Sequence, residues 1–427
     1  MKAGLFLFIL IISLRGIGAE EVFHPVERWG AHPPVTWQLL SAEPQLTSFS
    51  DMEGRAIFQV FTFPQGLYTD VQSLNRAIVS SLNAQAEQAA FTYTMPDTLG
   101  ALYRGEPLVQ TNGLDLSGNP PGGQAEGLFA DMQWSSGTLD LRGYGIFLSG
   151  GSDALSYGVL AFSLEELFEV YHDFLLSVLD SFHPWLTEES QYLRAPGPVS
   201  QFFEDPVPLA MVNGNLAQGI QQTRGNGSVY QHTLALRGDA TQVVIDREAR
   251  ILSQFQQAPA DLQMDAWRRF YQIIYRDSFA DMAGTAVRWF GDLSKNSYDP
   301  LTWPGPLLSR LQGFEYRRTG TLADLEAPQI AVLENAGDCD TLVLTYLALL
   351  EHAGIDGIIM VSTKHAHSLA GVGSGVAGSG PGANARFPFL GESWLVAELT
   401  HPVDLGLIAA SMADPADWFG FHLGFRP

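Results

Sequence analysis

Cysteine is almost missing from this chain: a single residue, Cys339, stands among 427. A lone thiol excludes any intrachain disulfide, so no covalent framework holds the fold. Basic residues are scarce as well. Lys and Arg number 23 against 46 Asp and Glu, a formal net charge of −23, and such a chain has no basic face with which to hold a phosphate backbone. Nucleic acid is thereby excluded as a general partner. Charged residues of either sign make up only 16% while hydrophobic residues reach 46%, a balance that folds rather than stays disordered. No P-loop, dinucleotide fingerprint or calcium-loop spacing occurs, so neither a cofactor nor a resident metal is expected. Long apolar runs are absent too, with one exception at the very start.

That exception, residues 5–14, follows Lys2 and precedes Arg15 and Gly16-Ile17-Gly18-Ala19. A charged start, a short apolar stretch and a small-residue exit match a cleavable secretory signal over residues 1–19. The run is short for a transmembrane helix, an uncleaved anchor being the alternative, and no cysteine near the exit offers a site for a lipid. The mature chain is expected to be exported, periplasmic or extracellular, with no stable membrane insertion after cleavage. Export raises the weight of Cys339. Exported chains keep cysteines in pairs, and an odd one marks a reactive thiol or an intermolecular partner. The alternative is a small buried hydrophobe.

The length predicts two or three domains. Residues 20–184 read as an α+β module. Ala56-Ile57-Phe58-Gln59-Val60-Phe61-Thr62-Phe63 is strand-like, and residues 141–148 and 156–162 pair as a hairpin across Gly150-Gly151-Ser152-Asp153. An amphipathic helix follows, with Ser163 and Glu166 as a capping box and Phe168, Tyr171, Leu175, Val178, Leu179 and Phe182 at helical spacing. That stripe is core. The helix and its Ser181-Phe182 ending resemble the PsbP/Mog1-like class of small sheet-plus-terminal-helix modules, a likeness confined to the end of the region. Pro184, Pro196, Pro198, Pro206 and Pro208 mark a linker over 185–206. Residues 207–299 are expected as short strands to about 237, with a turn at Gly225-Asn226-Gly227, and then as helices. Trp267, Phe270, Tyr271 and Ile274 lie on one face of those helices, extended by Phe279, Met282, Phe290 and Leu293.

The chemistry gathers in residues 300–427. Gly337-Asp338-Cys339-Asp340 opens a helix: Asp338 is a good N-cap, Leu342, Val343, Tyr346, Leu347 and Leu350 form an apolar face, and Gly354 supplies the stop. Cys339 falls in the first turn, where unpaired N–H groups and the helix dipole favour the thiolate. Asp338 and Asp340 oppose it, so a cation is needed nearby. Two strands follow, at 355–362 and 364–372. On a strand His365 and His367 share a face, which leaves both open as the base. A glycine-rich stretch over 371–391 is either a mobile flap or a tolerated hairpin extension, and a third strand covers 394–400. Cys339, His367 and Glu398 make a possible triad in which imidazole takes the thiol proton and the carboxylate orients the ring.

With these residues the chain resembles the transglutaminase-like superfamily of papain-related cysteine enzymes. The likeness rests on Gly337-Asp338-Cys339-Asp340-Thr341 and its apolar helix ending in Ala353-Gly354-Ile355, on His367-Ser368-Leu369-Ala370-Gly371-Val372, and on the strand ending in Glu398-Leu399-Thr400. Leu311-Gln312-Gly313-Phe314-Glu315-Tyr316 is similar to the segment that precedes the cysteine helix in bacterial members. The resemblance implies Cys339 as nucleophile, His367 as base and Glu398 in the place of the usual Asp. It implies an α+β fold in which the cysteine helix packs on an antiparallel sheet, preceded here by the α+β module and a helical connecting region. Ser368 departs from the pattern, which often has an aromatic after the base. Gln312 and Trp303 are the side-chain candidates for an oxyanion donor beside the backbone N–H of Cys339. Trp394 reads as a packing residue. A metal bound by His365 and His367 with His401 or His352 lacks any recognised zinc spacing. No substrate-binding residue is assigned. The expected activity is attack on an amide or peptide carbonyl through a thioester, hydrolytic rather than cross-linking, on a protein or peptide. The competing expectation is an inactive binding or scaffold protein of the cell envelope.

Overall fold

A computed structural model of the chain describes residues 22–85, 126–184 and 227–423, apart from 25, 137–138, 296–298 and 321, with four short strand pieces between 92 and 115. The signal over 1–19, the linker over 185–206 and the strands expected over 207–226 lie outside the described residues. The chain divides into two compact units, residues 1–217 with 250–269 and 427, and residues 218–249 with 270–426. Both mix helices with antiparallel sheet, an α+β architecture.

In the first unit, β1 (Val22–His24) pairs with β2 (Trp29–Ala31). An eight-stranded antiparallel sheet follows, built from β3 (Gln38–Glu43), β4 (Leu46–Ser50), β5 (Ala56–Phe63), β6 (Thr92–Thr94), β7 (Tyr103–Arg104), β10 (Glu126–Ser136), β11 (Leu139–Ser149) and β12 (Ser156–Leu164), with β8 (Gln110–Thr111) and β9 (Leu114–Asp115) as a separate ladder. The expected strand at 56–63 and the expected hairpin are both present, Leu148 standing opposite Tyr157. β12 is buried along almost its whole length, because helices cover both of its faces. Helix α1 (Val71–Gln85) lays Val71, Leu74 and Ile78 against Phe61, Phe147, Leu160 and Phe162. Helix α2 (Phe168–Asp180) covers the other face, where Phe168 meets Tyr144 and the following Phe182 meets Tyr157, each pair at 5.7 Å between ring centres.

The capping box at Ser163 does not form. Ser163 is still in β12, opposite Ala56, and its hydroxyl donates to the Leu164 carbonyl at 3.1 Å. The chain then passes through the 3₁₀ turn Glu165–Leu167 before α2 begins, and no side chain caps α2. The sheet ladder claims the residue before the helix can.

The second unit holds α3 (Gly227–Ser253) and α4 (Ala260–Phe279), whose residues 250–253 and 260–269 belong to the first, then α5 (Ala283–Leu293), α6 (Pro304–Leu311), α7 (Pro328–Glu334) and α8 (Cys339–His352). Residues 227–237, expected as strand, are the opening of α3. Leu234, Arg237, Thr241 and Val244 are buried at three- and four-residue intervals, a helical period that the Gly-Asn-Gly turn signal obscured. Arg237 donates to both oxygens of Asp281 at 3.0 and 3.2 Å, and Gln329 donates to Asp281 and to Thr241, so a buried polar cluster ties α3 to α7.

A parallel ladder joins β13 (Glu315–Tyr316) to β14 (Ala336–Gly337). The main sheet is antiparallel, in the order β17 (Arg386–Phe389), β18 (Glu392–Ala397), β16 (His367–Val372), β15 (Gly357–Ser362), β19 (Phe419–Phe421). Ile358, Met360, Leu369, Phe387, Trp394, Val396 and Trp418 form one cluster on it. Trp394 is a packing residue, fully buried, its indole N–H donating to the Phe389 carbonyl at 2.9 Å. α8 runs between β15 and β16 on one side and α5, α6 and α7 on the other. Leu344, Ala348 and Leu349 are therefore as buried as the predicted stripe.

The glycine-rich stretch is a pinned extension rather than a flap. It leaves β16 at Val372, the end away from His367. Ser379 N–H donates to Leu405 at 3.1 Å, the Ser379 hydroxyl accepts from Leu405 N–H, and Ala385 N–H donates to Gly406 at 2.8 Å.

Gly143 in β11 stands opposite Phe162, and a Cβ there would fall on the Ala161 carbonyl and the Phe162 Cα. Backbone atoms cannot step aside as a side chain can. Gly143→Ala is expected to cost about 1–3 kcal/mol, read as a lower guanidinium midpoint; an unchanged midpoint refutes the close approach.

Candidate active site

Asp338 caps α8 as the sequence predicts, its carboxylate accepting from Thr341 N–H at 2.8 Å, and Cys339 is the first helical residue. The strand beside it starts later than expected. Residues 363–366 form the turn between β15 and β16, and Ser362 pairs with His367. Ala366 closes that turn at φ 46°, the left-handed region that costs a non-glycine residue about 1–2 kcal/mol. This removes the argument that His365 and His367 share a strand face.

The two histidines go to different partners. His365 Nε2 lies 3.1 Å from Asp417, which also takes both hydrogen bonds of Lys364 at 2.8 Å, and its ring stacks on Trp418. His367 Nε2 lies 2.9 Å from Glu398 Oε2, and the Cys339 side chain interacts with the same ring. Nε2 is thus committed to the carboxylate, which leaves Nδ1 as the ring nitrogen for another partner. Trp418 packs edge-on against the His367 ring at 6.3 Å.

Register explains how Glu398 arrives there. Ala370 stands opposite Ala397, and one more antiparallel step puts Glu398 beside Leu369, the diagonal neighbour of His367 on the same face. β18 has already ended, so Glu398 sits in the bend beyond it rather than inside a strand reaching Thr400. Its second oxygen accepts from Thr400 N–H at 2.7 Å and from the Thr400 hydroxyl at 2.8 Å.

Gln312 is not available as an oxyanion donor. Its amide donates to the Glu398 and Val403 carbonyls, both at 2.8 Å, and so holds the bend that carries the carboxylate. Trp303 stacks on Phe290 at 4.8 Å between ring centres. The backbone N–H of Cys339, at the open end of α8, is the donor that fits.

Electrostatics follow from this packing. Burial works against a charged His367, but the hydrogen bonds with Cys339 and Glu398 and the charges of both partners outweigh it, pushing the ring up to about 10. Burial likewise opposes the Glu398 carboxylate, and the His367 and Thr400 hydrogen bonds overcome it, leaving Glu398 below its ordinary value. Asp338 is pushed up to about 7, by burial first and then by the charge of Asp340. Part of Asp340 reaches the surface, yet burial of its carboxyl raises it, against the hydrogen bonds from the Ser368 and Tyr271 hydroxyls that lower it. The two acids that would repel a thiolate are thus held toward their neutral forms. Tyr316 on β13 flanks the same spot, its hydroxyl raised by burial and by the charges of Cys339 and Asp338.

The donor atoms of Asp338, Cys339 and Asp340 lie within 4.8 Å of one another, the one group of three such donors among the described residues. The histidines considered for a metal are spread out: His352 stacks on Phe279 and bonds its carbonyl, and His401 is exposed beside Thr400. Sequence reasoning missed Trp418, Tyr271 and the role of Ser368. Only the departure at Ser368 offered a signal.

No family model and no curated protein sequence matches the chain. Among solved structures, the solution structure of cyanobacterial PsbP (CyanoP) from Synechocystis sp. PCC 6803 is similar over 40% of this chain and 94% of that one, at 12% identity and a TM-score of 0.27. A crystal structure from Bacteroides thetaiotaomicron VPI-5482 is similar over 62% of this chain and 78% of that one, at 9% identity and a TM-score of 0.23. Likenesses this low assign no activity. Among the described residues, no helix is long and apolar enough to cross a membrane.

The raised His367 makes stability depend on pH with a definite sign. A ring held above its ordinary 6.5 contributes fully below that pH and loses its contribution as pH rises through about 10. The difference in unfolding free energy between wild type and His367→Ala should shrink from pH 7 to pH 11. A constant difference would mean that the ring is not held charged.

Proposed function

We propose that the second unit is a cysteine acyl-transfer centre of the transglutaminase-like type, with Cys339 as nucleophile, His367 as acid and base, and Glu398 orienting the ring. The observation that carries this reading is the shared imidazole: one ring engages the Cys339 side chain and, through Nε2, the Glu398 carboxylate at 2.9 Å.

The reaction then runs as follows. His367 Nδ1 takes the thiol proton as sulfur bonds to an amide carbonyl carbon, and the oxyanion that forms is met by the Cys339 N–H. The C–N bond breaks as the imidazolium returns its proton to the leaving amine, which leaves a thioester. Water, deprotonated by the same ring, attacks that thioester; the C–S bond breaks and the proton goes back to sulfur. Hydrolysis is the expected outcome, an amine in place of water giving cross-linking. An extended peptide or protein chain is the substrate class, with half-exposed Tyr316 beside the thiol. The enzyme acts after export, beyond the inner membrane, and the first unit positions a partner or an envelope substrate.

The second reading is a binding or scaffold protein of the cell envelope that keeps the fold without turnover. Burial favours it, for Cys339 is 7% exposed and Glu398 4%. Iodoacetamide separates the two. The enzyme reading expects fast, pH-dependent alkylation of Cys339, slowed about 10²-fold or more in His367→Ala, and amine release from acyl-peptide amides that Cys339→Ala abolishes. A thiol equally inert in wild type and His367→Ala leaves the scaffold.

A further inference from the structure

The first turn of α8 meets the start of β16 through more than the thiol. Cys339 interacts with the His367 ring, and the next residue along each element forms a hydrogen bond: the Ser368 hydroxyl donates to Asp340 Oδ1. Ser368 is fully buried, and the Tyr271 hydroxyl reaches the same carboxyl from α4. Cys339 Sγ lies 4.0 Å from Asp340 Oδ1.

We propose that Asp340 and Ser368, with Tyr271 as a second donor to the carboxyl, form a positioning clamp that fixes the sulfur against the imidazole, two consecutive residues of the helix gripping two consecutive residues of the strand. The clamp rests on the acyl-transfer reading for its purpose, though not for its geometry.

Three observations lead to it. A carboxyl so close to a nucleophilic sulfur opposes the thiolate, so its presence there calls for a compensating use. Two hydroxyls converge on it from separate elements, which draws its charge away from sulfur and fixes its rotamer. Finally, Ser368 is fully buried, so its hydroxyl has the Asp340 carboxyl as its partner rather than water. Without the clamp, the His367 ring would have Glu398 and Trp418 as its remaining supports.

The test uses the full chain and two readouts, iodoacetamide labelling of Cys339 across pH 5–10 and the NMR titration of the His367 ring. Ser368→Ala and Asp340→Asn should each slow labelling about tenfold, and the double variant should be no slower than the slower single one. Both should move the pH profile of labelling and bring the His367 titration down from about 10. Tyr271→Phe, which keeps the ring and its packing, should act in the same direction if Ser368→Ala folds poorly. A merely structural hydroxyl would lower the melting temperature and leave the pH profile and the ring titration where they were, and that result overturns the clamp. The ring titration needs no reactive thiol. If wild type and His367→Ala label alike while Ser368→Ala still shifts the ring, the acyl-transfer reading falls and the clamp stands.

Discussion

A helix that is apolar on every side must be wrapped, and the wrapping of α8 decides where chemistry can occur in the second unit. From Thr341 to Leu350 the helix is enclosed, by β15 and β16 on one side and by three helices on the other. Its amino end is where polar groups gather. There the unpaired N–H groups, the Asp338 cap and Cys339 meet the first residues of β16 and the bend after β18. Each of these strands ends at that edge, so an imidazole, a carboxylate and a thiol from distant parts of the chain arrive together without any long loop to carry them.

Charge makes this an awkward place for a thiolate. The chain carries a formal −23, and acids stand on both sides of the cysteine. In the proposed centre the cation that the sequence demanded is His367, raised by Glu398 and Cys339, rather than a lysine or arginine. Lys364 is bound to Asp417 and Arg318 to Asp324. Burial does the rest, since desolvation that raises Asp338 and Asp340 removes negative charge from the sulfur's surroundings. The same desolvation would discharge the imidazole if Glu398 and the thiol did not hold it. The site therefore works as a unit, and removing any one of its acids changes the charge state of the others.

Much of this was legible from local sequence. The strand at 56–63, the 139–164 hairpin and the cysteine helix follow from alternation, turn residues and a cap whose physics is local. What misled was competition between signals. Ser163 is a sound helix cap, but the neighbouring strand takes it into the sheet. Gly225-Asn226-Gly227 is a sound turn, but the buried spacing from Leu234 onward is helical. His365 and His367 looked equivalent because a period of two was extended through a turn whose left-handed Ala366 leaves no trace in composition. Glu398 was legible as a carboxylate at about the right place, while its route to the ring depends on cross-strand register, which no single segment encodes. Gln312 read as an oxyanion donor and Trp418 had no reading, since their roles come from segments 86 and 51 residues removed from the groups they support.

The departure of the glycine-rich stretch from the far end of β16 has a consequence for how this protein can vary over evolutionary time. Pro381 and Gly382 stand at the tip of that stretch, and Gly382 has open space around its backbone. Residues gained or lost there leave the pairing of β16 with β18 untouched, and with it the alignment that brings carboxylate to imidazole. A single residue gained or lost within β18 would instead turn Glu398 to the opposite side of the sheet. Length drift is thus channelled to that stretch, where a change leaves the pairing of His367 with Glu398 as it is.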